Sequence, residues 1–167
     1  MEFIAWPKIT RLENKRTPIF TEKIDGTNAC IIIDSNGNFG CQSRTRLITP
    51  EDDNFGFAKW VHSNKEELIK LGEGYHFGEW WGLGIQRGYG QTEKRFSLFN
   101  TRRWGEHNPL TPACVSVVPM LPITTAEEVK DFFAKNGSIA SPGWSRPEGA
   151  VMYEPDTDTC FKIIIDK

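Results

Sequence analysis

The chain has 167 residues, 38% of them hydrophobic, with six tryptophans and eleven phenylalanines, enough for one domain with a real core. Its 20 basic and 22 acidic residues leave a net charge of −2, which excludes a global positive field, so any nucleic-acid contact must come from local clusters. No apolar run reaches membrane-spanning length, no signal pattern opens the chain, and Cys30, Cys41, Cys114 and Cys160 are too scattered for a zinc site; the expectation is one domain over residues 1–167, cytoplasmic, reduced and without membrane.

Residues 1–18 read as an entry strand and a basic loop carrying Arg11, Lys15 and Arg16. Strands are expected over 19–24 and 27–33, with Asp25-Gly26 as the turn between them. Lys23 stands beside that turn. It is either a hairpin lysine paired with Glu22 or Asp25, or an ammonium held at the mouth of a sheet, where a shifted pKa makes it a nucleophile. Asp34-Ser-Asn-Gly-Asn38 is a turn, with Asn36-Gly37 suited to a two-residue hairpin loop, and 39–43 returns as a strand. Arg44 and Arg46 then arrive at the Lys23 end, as an ordinary basic strand end or as forks for phosphate or ribose oxygens.

Pro50 and the acids after it mark a helix start, giving one or two helices between 51 and 71 that end at Gly72. Phe57, Trp60 and Val61 fall on their core face. Within Tyr75-His-Phe-Gly-Glu-Trp-Trp-Gly-Leu-Gly84, a lone carboxylate, Glu79, sits in apolar surroundings and needs a hydrogen-bond donor. A ribose hydroxyl or a backbone amide would serve, and chemistry alone favours the amide. His76 reads as a satisfied sheet histidine, and the glycines of 84–90 as a flexible surface loop. In Lys94–Trp104, Phe96 and Leu98 fall on one face and Phe99 on the other, followed by the basic pair Arg102-Arg103, candidate nucleic-acid contacts. Val115–Pro119 is a short strand stopped by its proline. Thr124–Gly137 is the clearest helix, with a Thr124–Glu127 capping box, a buried stripe of Ala126, Val129 and Phe133, and a C-cap at Gly137. Glu148 lies on a glycine turn entering a strand, and Phe161–Lys167 is the last strand.

Five of these stretches, in order over roughly residues 20–164, resemble the motifs of the covalent nucleotidyltransferases: ATP-dependent DNA and RNA ligases and mRNA capping enzymes. Glu-Lys-Ile-Asp-Gly-Thr-Asn resembles the first motif, Lys-x-Asp-Gly, and its Thr-Asn is most like the RNA ligase 2-like branch. Ser43-Arg44 resembles the next motif, Phe-Gly-Glu-Trp-Trp-Gly the third, Phe96–Asn100 the stretch whose second aromatic stacks on adenine (with Asn100 for the usual Asp), and Pro147-Glu-Gly-Ala-Val the fourth. The fifth, Lys-x-Lys, is incomplete. Either Lys162 is its first lysine and Ile164 replaces the second, or Lys162 is the second and Cys160 replaces the first, and Lys167 is too far along to substitute.

The resemblance implies an α+β fold of two mainly antiparallel sheets with flanking helices around a nucleotide cleft, as a nucleotidyltransferase domain alone with no OB-fold. It implies that Lys23 attacks the α-phosphate of ATP, passes AMP to a 5′-phosphate end, and that a 3′-hydroxyl displaces AMP to seal RNA, or DNA, ends. Lys162 assists as a cation, Glu148 holds Mg²⁺ or Mn²⁺, Phe99 stacks adenine, Glu79 binds ribose and Arg44 binds a sugar or phosphate oxygen. Glu22, Ile24 and Asn28 contact the nucleotide or strand, and Asp25 shapes the loop. An accessory protein would replace the missing C-terminal domain. A minimal DNA ligase and a GTP-using capping enzyme share the motifs, and the incomplete fifth motif is what a non-catalytic nucleotide or nucleic-acid binding module would show.

Overall fold

In the computed structural model, which describes residues 1–166, the chain builds two sheets that share a connection. Six strands, β2 (Thr27–Ile33), β3 (Phe39–Ser43), β4 (Leu47–Ile48), β5 (Gly74–Gly82), β6 (Lys94–Leu98) and β7 (Ser116–Val117), form one sheet in the order β4-β3-β2-β5-β6-β7, antiparallel except for the β6–β7 pair. The other sheet is antiparallel and three-stranded, β1-β8-β9, from β1 (Ile19–Lys23), β8 (Gly149–Glu154) and β9 (Thr159–Ile164). The expected fold class is the one found.

Strand alternation gives each sheet an apolar face for helices and a second face for the site. Ala29, Ile31 and Ile33 of β2, Trp80 of β5 and Phe96 of β6 pack with Phe57, Ala58 and Val61 of α1 (Phe57–Ser63) and Leu68 of α2 (Lys65–Leu68). Phe20 of β1 and Ala150 of β8 pack with Val129 and Phe133 of α3 (Glu128–Asn136). A small third cluster, Ile24, Trp81, Tyr89 and Val118, sits where the sheets meet.

The two sheets are stitched by the chain after β7. The Val118 N–H donates to the Leu98 carbonyl in one sheet, while the Glu22 and Leu121 N–H groups bond the Pro119 and Phe20 carbonyls in the other. Pro119 therefore marks a change of sheet and not merely a strand end.

Several local expectations need correction. β1 and β2 do not form a hairpin; they lie in different sheets, and Asp25-Gly26 is the crossing between them. The β2–β3 loop is a three-residue one: Gly37 donates to the Asp34 carbonyl, Asp34 to that of Asn38, and Gly37 takes φ +81° after a tight turn. Helix α1 starts at Phe57 and not at Pro50, because the Asp53 carboxylate accepts the Ala58 and Lys59 N–H groups and so caps the later turn. At α3 the carboxylate that reaches back to Thr124 and Thr125 is Glu128, not Glu127. Residues 1–17 are exposed, with only a short 3₁₀ turn at Leu12–Asn14 and no strand. The 84–90 loop is pinned by buried Ile85 and Tyr89. The reading of Lys167 lies outside the described residues.

The most heavily bonded buried charge is Glu22, 1% exposed, whose carboxylate accepts from the Ser138 hydroxyl (2.6 Å) and the Ile139 and Ala140 N–H groups (2.7 and 3.0 Å). Glu22→Ala strands three donors, and we expect it to lower stability by about 3 kcal/mol or more in urea titrations. A loss under about 1 kcal/mol would show that this latch contributes little.

Candidate active site

A cavity of about 850 Å³ opens between the faces of the two sheets turned away from the helices. On β1, alternation puts Ile19, Thr21 and Lys23 on this wall and sends Phe20 and Glu22 into the opposite face. Lys23, at the strand end, is partly covered and donates from Nζ to Glu148 Oε2 at 3.0 Å. Glu148 precedes β8, in which Gly149 is the register partner of Lys23, and its own N–H donates to the Tyr89 hydroxyl oxygen at 2.7 Å. Gly149, at φ +155°, has no room for a side chain because a Cβ would collide with the Ile163 carbonyl.

Across the cavity, Asn28 and Glu79 are register partners on β2 and β5 and both line the wall. Glu79 is 7% exposed and accepts from the Gly26 N–H at 3.1 Å, so the amide that chemistry favoured is its partner here. Gly26 is required at this point. A Cβ would lie 2.5 Å from the Trp80 carbonyl, so only glycine lets the crossing chain pass close enough to reach Glu79. Burial raises the Glu79 carboxyl from 4.5 to about 7; Lys23 and the Gly26 N–H oppose the rise, and the Glu148 and Asp25 charges add to it. Phe99 lies just past β6, tied by its N–H to the Phe77 carbonyl, and its half-exposed ring lines the same cavity.

Other expected site residues sit elsewhere or differently. Glu22 borders the cavity, but its carboxylate is bonded to the 138–140 loop. Ile24 borders the cavity, but its side chain is core, packed with Trp81 and Tyr89. Asp25 does shape the loop, gripped by Arg87 Nε at 2.9 Å. Arg44 is exposed and outside the cavity lining, and Arg46 is turned to Asp52 at 3.0 Å.

Lys162 is exposed, on the face Lys23 occupies, in the Thr21–Val151–Lys162 row, while the row of Lys23 itself runs through Gly149 to Ile164. By strand spacing its backbone is roughly 12 Å from that of Lys23. The nearest charged neighbour of Lys23 is therefore a carboxylate, Glu148, and not a second lysine.

Three contributors escaped the sequence reading. Arg87 sat in what looked like a free loop, although a buried Tyr89 two residues on was the available sign that the loop is anchored. The Ser138–Ala140 backbone gives no sequence signal at all. Tyr75 and Phe77 share the Glu79 face by simple two-residue alternation, which the pattern did contain.

Among the described residues no three His, Cys, Asp or Glu side chains gather as a metal site. A divalent cation that takes one protein carboxylate and completes its shell with substrate phosphate and water still fits Glu148, whose second carboxylate oxygen has no hydrogen-bond donor among the described residues.

Two sheets closing on a cleft, with a strand-end lysine against a carboxylate, define a nucleotidyltransferase-like α+β domain. The sequence family described as RNA ligase matches residues 16–164, and the chain belongs to that family. No curated protein sequence is similar enough to count as a match. Among solved structures, the fold is shared with the RNA ligase of Naegleria gruberi. A lysine-to-alanine variant with ATP and Mn has a TM-score of 0.64 and 23% identity over 91% of this chain and 50% of that one. A lysine-to-methionine variant with AMP and Mn gives 0.62 and 23% over 91% and 51%, and the enzyme with PPi gives 0.62 and 23% over 91% and 50%. The chain thus spans about half the length of the solved structures it matches.

The raised Glu79 carboxyl has a consequence for stability. Folding holds its proton above the unfolded value, so this group costs nothing below pH 4.5 and progressively destabilises the fold as pH rises through about 7. Relative to Glu79→Gln, wild-type stability should fall by about 3 kcal/mol between pH 4.5 and pH 8, read by urea unfolding. Parallel pH profiles for the two proteins would contradict the burial argument.

Proposed function

We propose that this domain is the adenylyltransferase of an ATP-dependent RNA ligase. The observation that carries this is Lys23, held by Glu148 at 3.0 Å on the wall of a cleft that can take a nucleotide, in a chain of the RNA ligase family. The Lys23 ammonium gives one proton to solvent, and the resulting amine attacks the α-phosphorus of ATP. A P–N bond forms, the P–O bond to the β-phosphate breaks, pyrophosphate leaves, and the nitrogen loses its second proton to solvent. AMP passes from Lys23 to a 5′-phosphate, and a 3′-hydroxyl then displaces AMP and seals the strand.

Phe99 offers its half-exposed ring to adenine, and Asn28 offers an exposed amide on the same wall. Glu79, already bonded to Gly26, accepts from a ribose hydroxyl with its remaining lone pairs. Bound at Glu148, Mg²⁺ or Mn²⁺ supplies a competitor for the carboxylate that now holds Lys23 and offsets charge on the α-phosphate. Lys162, on the same sheet face in the neighbouring row, would supply a further cation to the phosphates. Arg44, exposed at the end of β3, meets the strand and not the buried nucleotide.

No helix among the described residues is long and apolar enough to cross a membrane, and all four cysteines are unpaired. Both agree with action in the cytoplasm. Further strand contacts belong to another domain or an accessory protein, in keeping with the greater length of the matched structures.

The test is strand sealing with two donors. With ATP and Mg²⁺, wild-type protein should join a 5′-phosphorylated RNA to a 3′-hydroxyl RNA faster than the DNA equivalent. Lys23→Ala should fail on that donor yet still seal a pre-adenylylated one, because the missing bond-forming step has been supplied. Sealing of the 5′-phosphate donor by Lys23→Ala would overturn the role of Lys23.

A further inference from the structure

The cleft is larger and more aromatic than one nucleotide requires. Its volume of about 850 Å³ lies toward the top of the range for small-molecule pockets, about 300–1,000 Å³. Along β5, Glu79, Phe77 and Tyr75 follow one another on the cavity face at about 7 Å per step; Phe77 is the strand neighbour of Phe99, and Tyr75 stands one step beyond it. Tyr75 and Phe77 are 61% and 52% exposed, and their rings lie roughly parallel, 21° apart in plane, with centroids 6.3 Å apart. Large aromatics this open, side by side on a sheet face, leave apolar area in water that a flat partner would cover.

At the same end stand Arg102 and Arg103, both exposed and both lining the cavity. Neither has a carboxylate partner among the described residues: the Arg102 guanidinium lies 4.8 Å over the Tyr153 ring and that of Arg103 4.5 Å over Trp104. Two buried carboxylates of this cleft are already committed, Glu22 to the 138–140 loop and Glu79 to Gly26. Cations without carboxylate partners near exposed aromatic rings match a ligand that is anionic along its backbone and planar in its side groups.

We propose that Tyr75 and Phe77, with Arg102 beside them, form a second base-stacking position in the cleft, which takes an unpaired nucleobase at the end of a single-stranded RNA while the first position holds ATP or lysyl-bound AMP. It rests on the ligase reading above. Tyr75 and Phe77 stack the base, and Arg102 contacts the adjoining phosphate. Because stacking is blind to base identity, the position selects for an unpaired end and not for a sequence. A base-paired end, whose terminal base is already covered by its neighbour, gains less from it.

Binding of a 5′-phosphorylated RNA pentamer carrying 2-aminopurine at its terminal position, followed by fluorescence quenching, tests this without requiring turnover. Wild-type protein should quench the probe, and Tyr75→Ala should weaken binding about tenfold or more. Tyr75→Phe, which keeps the ring, should restore it. Arg102→Ala should weaken binding and flatten its salt dependence. The loss in Tyr75→Ala should exceed the loss in ATP affinity by at least tenfold. Equal losses for RNA and ATP would mean that the platform is the adenine site, and unchanged RNA binding in Tyr75→Ala would mean that it holds no base; either overturns the proposal. Because the readout is binding, a protein that quenches the probe but never forms lysyl-AMP would overturn the ligase reading and leave the platform standing.

Discussion

The fold depends on how five consecutive residues carry the chain from one sheet to the other. Each is fixed to a different part of the molecule: Glu22 to the 138–140 loop, Lys23 to Glu148, Ile24 to the Trp81–Tyr89 cluster, Asp25 to Arg87, and Gly26 to Glu79. The anchors come from β5, the loop after it, the segment after α3 and the entry to β8, so contacts distant in sequence hold the crossing. The same anchoring leaves the Lys23 nitrogen few positions, and a nucleophile needs that restriction to meet a phosphorus in line. One exposed carboxylate-to-ammonium pair would contribute little, but this one is partly buried and borders a cleft.

The cleft divides its charges by purpose. Its carboxylates are internally satisfied, Glu22 fully and Glu79 in part, so they present little bare negative charge to an incoming nucleotide. Exposed aromatic rings and arginines with no carboxylate partner in the described residues, Tyr75 and Arg102 among them, line the cleft further along. A chain with net charge −2 can attract a polyanion in this way, through a local arrangement and against its overall balance.

The sequence displayed the local chemistry well and the long-range geometry poorly. Two-residue alternation placed Phe96 and Leu98 away from Phe99, and a need for a donor at Glu79 followed from its apolar neighbours. Asp25-Gly26 was misjudged because a turn signal says that the chain bends, not which strand it joins next. The fate of Glu22 was illegible, since its partners lie more than a hundred residues away and two of them are backbone amides that any residue provides. Arg87 was missed for a related reason: glycines on either side suggest freedom, while the contact that removes it comes from Asp25 and Asp166. Strand register puts Ile164, and not Lys162, in line with Lys23, which residue spacing alone did not reveal.

All of the chemistry assigned to the cleft turns on one bond, between the Lys23 nitrogen and an AMP phosphorus. Intact-protein mass spectrometry after incubation with ATP and Mg²⁺, with peptide mapping of the product, measures that bond directly. The account predicts a gain of one AMP per chain, carried on the peptide containing Lys23 and absent from Lys23→Ala. A folded protein, free of AMP as purified, that gains no mass, or an adduct that persists in Lys23→Ala, would contradict it.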